Sequence, residues 1–169
     1  MTEYVVPGPS ARGGDGSVGV GMTGQTAKIE SRCGRCEGTQ VRQVNQFIDR
    51  GQLWWDAEVY CESCGAYLCE HAGPGRAPED VRSALLAEHG PSRLCVVGPR
   101  PSLVSVLKVL REVSEVSLPR ARELADELTD TGLVGTLVEM EFLKIQLRSR
   151  GVAAEVRPDA GPAGEPIPS

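Results

Sequence analysis

The sequence predicts an α+β fold in two unlike parts: a small cysteine-bearing hairpin lobe, then a compact β-α-α-β-α-β module with a three-stranded sheet. Three observations carry this expectation. Two C-x-x-C pairs, Cys33/Cys36 and Cys61/Cys64, stand 24 residues apart. Between them the apolar residues alternate with polar ones, as a half-buried strand requires. Beyond Pro78 the apolar residues recur at helical spacing, interrupted by short apolar runs of strand length.

The elements follow in order. Residues 1–27 are rich in Gly and poor in bulky apolar side chains, so they read as a disordered leader; Met22 offers a second possible start. Residues 28–72 hold the cysteine pairs. "TQVRQVNQFI" runs out, "DRGQ" turns, and "LWWDAEVYC" returns. In the return strand Leu53, Trp55, Ala57 and Val59 share one face, and Trp54, Asp56, Glu58 and Tyr60 the other. Residues 73–91 read as a linker and a connecting helix. Pro78 suits the first helical position, Glu79 and Asp80 suit the positive helix end, and Val81, Ala84 and Leu85 lie together. Gly90-Pro91 ends that helix.

Residues 92–158 form the second module. "RLCVV" is a short strand. The next helix is expected to bury Leu103, Val106, Leu107, Leu110 and Val113. Ser117 is placed to cap a further helix with an inner stripe of Ala121, Leu124, Ala125 and Leu128. Thr136 and Glu139 match a capping box, in which each side chain satisfies the other's free backbone donor. That third helix buries Leu143 and Leu147 and stops at Gly151; "VAAEVRP" closes the sheet. Residues 159–169, rich in Pro and Gly, read as a disordered tail.

Composition bounds the function. Of 169 residues, 40% are hydrophobic and 4% aromatic, which supports modest cores. A net charge of −5 argues against general attraction to nucleic-acid phosphates. No apolar run has bilayer-spanning length and no secretory signal is evident, so the expected compartment is the cytoplasm, without membrane association. Thiols stay reduced there, and paired cysteines then point to metal rather than to disulfides.

A C-x-x-C turn brings two thiolates to one side of a tight knuckle, and two knuckles supply the tetrahedral four-sulfur shell that Zn(2+) prefers. Gly65 follows the second pair, where the backbone must open. Cys33, Cys36, Cys61 and Cys64 are therefore the expected ligands, and the segment resembles a zinc ribbon. Four thiolates close the shell, which makes the metal structural. Its binding, about 10–16 kcal/mol in small finger peptides, would supply the folding energy. Cys69 and His71 are a surplus pair, read as packing and solvated residues. Cys95 reads as a small hydrophobe in a strand. His89 is placed to meet helix carbonyls, and Trp54 to shield the sheet. From Lys28 to His71 there are five positive and seven negative side chains, so with a site charge of −2 the lobe is near −4.

The stretch "VLKVLREVSEVSLPRARELADEL", followed by the Thr-capped helix and "RSRGVAAEV", resembles the C-terminal domain of the bacterial ribosomal stalk protein; the related Clp-protease adaptor has a similar fold. The resemblance covers residues 92–158. It implies a two-helix face that recruits translational GTPases through basic residues, here Lys108, Arg111 and Arg122. Departures are visible. "SEVS" stands where the family has a glycine-rich bend, Leu103 occupies a basic position, and Glu112 and Glu115 lower the local potential.

No catalytic constellation is present in the sequence. "GGDGSVGVG" lacks the Lys-Ser/Thr of a phosphate loop. Cys69 with His71 is too thin for hydrolase chemistry, and Glu139 and Glu141 read as a cap and a surface charge. The expectation is a non-enzymatic zinc-binding adaptor that docks a protein partner, with the stalk resemblance implying a link to translation. The alternative is a regulatory nucleic-acid reader that uses the ribbon.

Overall fold

The computed structural model describes residues 23–70 and 73–159. Four strands, β1 (Gly24–Arg32), β2 (Thr39–Asp49), β3 (Gln52–Cys61) and β4 (Tyr67–Glu70), form one antiparallel sheet in the order β1-β2-β3-β4. The central hairpin follows the alternation in the sequence. Val44, Gln46, Leu53 and Ala57 are buried on one face, while Asp56 and Glu58 lie opposite. Its two-residue turn places Arg50 at φ 47° and Gly51 at φ 74°. Two left-handed residues match the natural twist of the flanking strands.

Two strands exceed the expected hairpin. β1 begins at Gly24, so the leader expected over 1–27 is shortened: Gly24 to Ala27 pair with Phe47 to Val44. Gln25 and Ala27 turn inward there, giving the strand a buried face without any bulky residue. Residues 1–22 of that leader lie outside the described residues. β4 extends the other edge, pairing Tyr67 with Tyr60 and Glu70 with Ala57.

Helix α1 (Glu79–His89) does more than connect. Val81 and Leu85 are fully buried against Ala27, Val44 and Ala57, and Ala84 packs beside them. The helix thus supplies the apolar layer that the thin sheet lacks. Pro78 sits one place earlier than expected, at the N-cap. Arg42 on β2 ties the layers together, with hydrogen bonds to Glu70 at 2.6 Å and Asp80 at 2.5 Å. His89 meets a carbonyl, Thr26 O, at 2.8 Å. The preceding segment is also held: Gly75 N–H donates to Leu53 O at 2.7 Å, and Pro74 bridges Trp54. Trp54 is half-buried, and its indole N–H has no partner among the described residues.

The remaining elements run β5 (Ser92–Val96), α2 (Leu103–Ser114), α3 (Leu118–Asp130), β6 (Leu133–Gly135), α4 (Leu137–Ser149) and β7 (Ala154–Pro158). β5 is central in an antiparallel sheet ordered β6-β5-β7. Leu94, Val106, Leu110, Leu128 and Leu147 anchor the larger core. Truncating one of these to Ala would cost about 2–5 kcal/mol.

Some expected details shift. Leu103 is 56% exposed rather than buried, and Val109 takes an inward place instead. Leu107 and Val113 pack only partly. Ser117 occupies the N-cap of α3 but its side chain makes no capping hydrogen bond. The sheet closes at Pro158, which pairs with Ser92, and the first residue of the expected tail is held as well: Asp159 forms an ion pair with Arg93 at 3.0 Å. Residues 160–169 lie outside the described residues.

The N-terminus of α4 joins the two sheets. Its capping box is present, with Thr136 Oγ1 accepting from Glu139 N–H and Glu139 accepting from Thr136 N–H. The Thr136 hydroxyl then donates to Gln46 Oε1 on β2 at 2.5 Å, both residues being fully buried. Glu139 also receives Arg82 of α1 at 3.1 Å. Buried polar atoms need partners; those of Thr136 and Glu139 come from the other lobe, while Gln46 Nε2 has none among the described residues.

Candidate metal centre

Two tight loops face one another at one end of the four-stranded sheet. In the first, Cys33 N–H donates to Gly38 O and Glu37 N–H to Cys33 O; in the second, Cys61 N–H donates to Ala66 O and Gly65 N–H to Cys61 O. The loops repeat the same bonding at the same offsets. They also repeat one unusual backbone state: Glu37 has φ 58° and Gly65 has φ 67°, each directly after the second cysteine of its pair. The sequence marks this position by glycine in one loop only.

The strand register brings the loops together. β1 ends at Arg32, just before Cys33, and β3 ends on Cys61, opposite Gln40 at the start of β2. All four sulfurs, of Cys33, Cys36, Cys61 and Cys64, lie within 4.8 Å of one another. Cys33 and Cys64 approach to 3.8 Å, and Cys36 and Cys61 to 3.6 Å. A tetrahedron with metal–sulfur bonds of about 2.3 Å has sulfur–sulfur edges of about 3.8 Å. The donor set therefore fits a tetrahedral cation of that size. Cys33 and Cys61 are buried, Cys64 half-buried and Cys36 exposed, so the cluster opens to solvent on one side.

Electrostatics follow from the crowding. The Cys61 thiol is lowered to about 7, first by the Cys64 backbone N–H and then by the Cys36 and Cys64 side chains. Cys33 is lowered too, by the backbone N–H groups of Arg35 and Cys36. For Cys36 the Gly38 N–H pulls downward, but the Cys64 and Cys61 sulfurs and burial outweigh it and raise the thiol to about 12. Amide donors thus stabilise the first thiolates, while the last proton leaves against accumulated negative charge. A divalent cation removes that repulsion.

Among the described residues, the remaining cysteines do not join the cluster. Cys69 is exposed on β4, with its thiol 3.1 Å from the Tyr67 hydroxyl. His71 lies outside the described residues. Cys95 is half-buried on β5.

The expected partner-binding residues lie on the outer side of α2 and α3. Lys108, Arg111 and Arg122 are all exposed, and none forms an ion pair among the described residues. Lys108 and Arg111 flank a shallow groove with Val104, Leu107, Glu112 and Leu118; Arg122 does not line it, but follows Leu118 by four residues on the same helix. Val104 at 62% and Leu118 at 39% exposure give this face an apolar centre that helical periodicity alone did not isolate.

Comparison with family models, curated proteins and solved structures finds no match for this chain. No helix among the described residues is long and apolar enough to cross a membrane.

Proposed function

We propose that this chain is a non-enzymatic zinc-binding adaptor, with a ribbon-like lobe stapled by Zn(2+) and a helical face that docks an acidic surface of a partner protein. The convergence of Cys33, Cys36, Cys61 and Cys64 within 4.8 Å is the observation that carries it. Four protein sulfurs complete a tetrahedral shell and leave no position for a reacting water, so the metal's role is to hold the lobe together. Zinc is favoured over iron by the expected structural role and by the absence of any need for redox chemistry in docking.

Support for docking is chemical. Lys108 and Arg111 flank the exposed apolar residues Val104 and Leu118, and Arg122 lies one turn along α3 from Leu118, a pairing that suits an amphipathic acidic helix or loop. A translational GTPase is the partner class that the stalk-like sequence of 92–158 implies, which places the protein in the cytoplasm beside the ribosome. Elemental analysis should find one zinc per chain, reduced in Cys61→Ser. Affinity capture should retain a GTPase, and reversal of charge at Lys108, Arg111 and Arg122 together should abolish that retention. Capture unaffected by the triple reversal would remove the docking face.

The nucleic-acid reading has less support. Arg42, which such a role would use, is occupied by Glu70 and Asp80, and the lobe around the cysteines is net negative. Salt-dependent retention on DNA or RNA, lost in Arg35→Ala, would favour it.

A further inference from the structure

A cavity of 190 Å³ lies where the two lobes meet, apart from both the cysteine cluster and the α2–α3 groove. Its floor is apolar, with Val116 after α2, Leu124 on α3 and Leu143 on α4. Arginines from three elements line it: Arg76 ahead of α1, Arg82 on α1 and Arg120 on α3. Glu139 is the one carboxylate among the lining residues. Its charge is already met, because Arg82 Nε lies 3.2 and 3.1 Å from its two oxygens.

The other two guanidiniums are less firmly held. Arg76 forms no ion pair or side-chain hydrogen bond among the described residues. Arg120 is paired only with Glu123, one turn along α3, in an exposed contact of a weakly held kind. In a chain with net charge −5, an apolar hollow bearing one unpaired arginine and a second held only by an exposed surface contact is a local reversal of sign. Its complement is an anionic head on an apolar body. Size narrows the class. An apolar cavity of about 150 Å³ accepts benzene, so this hollow takes one ring with a small head group, or a short alkyl chain. A second hollow of 300 Å³ shares Leu53, Arg76, Val113 and Phe142 with it; Glu112 and Glu115 line that outer hollow, so the positive charge is confined to the inner one.

We propose that the cavity between the lobes binds a small amphipathic anion, a carboxylate or phosphate monoester carrying a single ring or short chain, with Arg76 and Arg120 holding the head and the Leu124–Leu143 floor holding the body. The site does not depend on the identity of the metal or on docking at α2 and α3. Because both lobes line it, an occupant also bridges them.

The test is an NMR titration of the full, metal-loaded chain with benzoate, phenyl phosphate, inorganic phosphate and benzylammonium. Benzoate or phenyl phosphate should shift the amides of Ser114, Leu124, Val134 and Phe142 saturably, at roughly millimolar concentration or below. Inorganic phosphate and benzylammonium should bind at least about tenfold more weakly, for want of the apolar body or of the charge. The double variant Arg76→Ala/Arg120→Ala alters exposed residues only and should weaken binding at least about tenfold with the amide spectrum otherwise kept. Ser114→Trp keeps every charge and should block the hollow. The proposal is overturned if neither aromatic anion saturates those amides, if inorganic phosphate or benzylammonium binds equally well, or if binding survives both variants.

Discussion

Glu37 and Gly65 hold the same backbone state in the two cysteine loops, yet only one is glycine. A side chain with a Cβ in the left-handed region costs about 1 kcal/mol or more. Gly65→Ala should therefore lower the stability of the metal-loaded protein by about 1 kcal/mol in guanidinium unfolding. Glu37→Gly should leave stability unchanged or raise it, by up to about 1 kcal/mol, because relief of strain competes with the greater freedom of the unfolded chain. Gly65 was legible as a knuckle residue; the matching strain at Glu37 was not, since nothing in its side chain signals positive φ. Titration adds a second expectation at this scale. Metal binding needs thiolates, so protons compete with the ion, and release should increase as pH falls. A chromogenic zinc indicator across pH 8 to 4 (an approximate window set by thiolate competition) should report release on the acid side. Asp80 behaves in the same direction for a different reason. Its hydrogen bond with Arg42 lowers its carboxyl below the usual value, so its contribution is present above the unfolded carboxylate range and is lost as pH falls through the folded value. Since Asp80 is largely exposed, Asp80→Asn should cost under about 1 kcal/mol.

At the scale of elements, α4 shows how much a local motif can say. Its capping box was readable from Thr136 and Glu139, because both partners lie within four residues of sequence. Their second partners, Gln46 and Arg82, come from β2 and α1 and leave no local trace. Thr136→Val would remove the cap and leave the Gln46 oxygen buried without a donor. It should cost about 2 kcal/mol or more in urea unfolding, whereas Thr136→Ser, which keeps the hydroxyl, should cost under about 1 kcal/mol. The strands divide along similar lines. β3 was visible through Leu53, Trp55, Ala57 and Val59 at alternate places, and its pairing with β2 through the Asp49–Gln52 turn. β1 was hidden because its inward positions carry Gln25 and Ala27, and β4 because four residues with Tyr67 and Leu68 both exposed display no alternation. In α2 the inward stripe of Val106, Leu107, Leu110 and Val113 was legible, but Leu103 faces outward at the first turn and Val109 adds an inward place.

For the molecule as a whole, the sequence divided the chain at residues 72 and 92, while packing joins the parts. The smaller core consists of Ala27, Val44, Ala57, Val81 and Leu85, too little apolar volume to hold a sheet of this size without help. Two sources of help are at hand, the cysteine cluster and the α4 junction. Removing the metal should therefore loosen the sheet lobe and weaken the second module with it. Hydrogen exchange on metal-free protein should show lost protection at β1 to β3 and also at Thr136 to Glu139, while Leu110 and Leu128 remain slow to exchange. Unchanged exchange at the α4 N-terminus would mean that the lobes fold independently. The four-cysteine cluster itself was legible because C-x-x-C spacing is a local signature. The inter-lobe hollow was not, because Arg76, Arg120 and Leu143 meet only through the packing of distant elements.

The two-residue reversal at Arg50-Gly51 has a consequence for the order of assembly. Once it closes, the β2–β3 ladder can zip from Asp49↔Gln52 toward Gln40↔Cys61, carrying the last cysteine pair to the chain's earlier one with no wide search. Neighbouring strands are also consecutive in sequence throughout this sheet, so each step of growth closes a short loop. The ion would then arrive last, as a latch on a nearly finished cradle, and refolding should have a fast phase independent of zinc concentration followed by a capture step that scales with it.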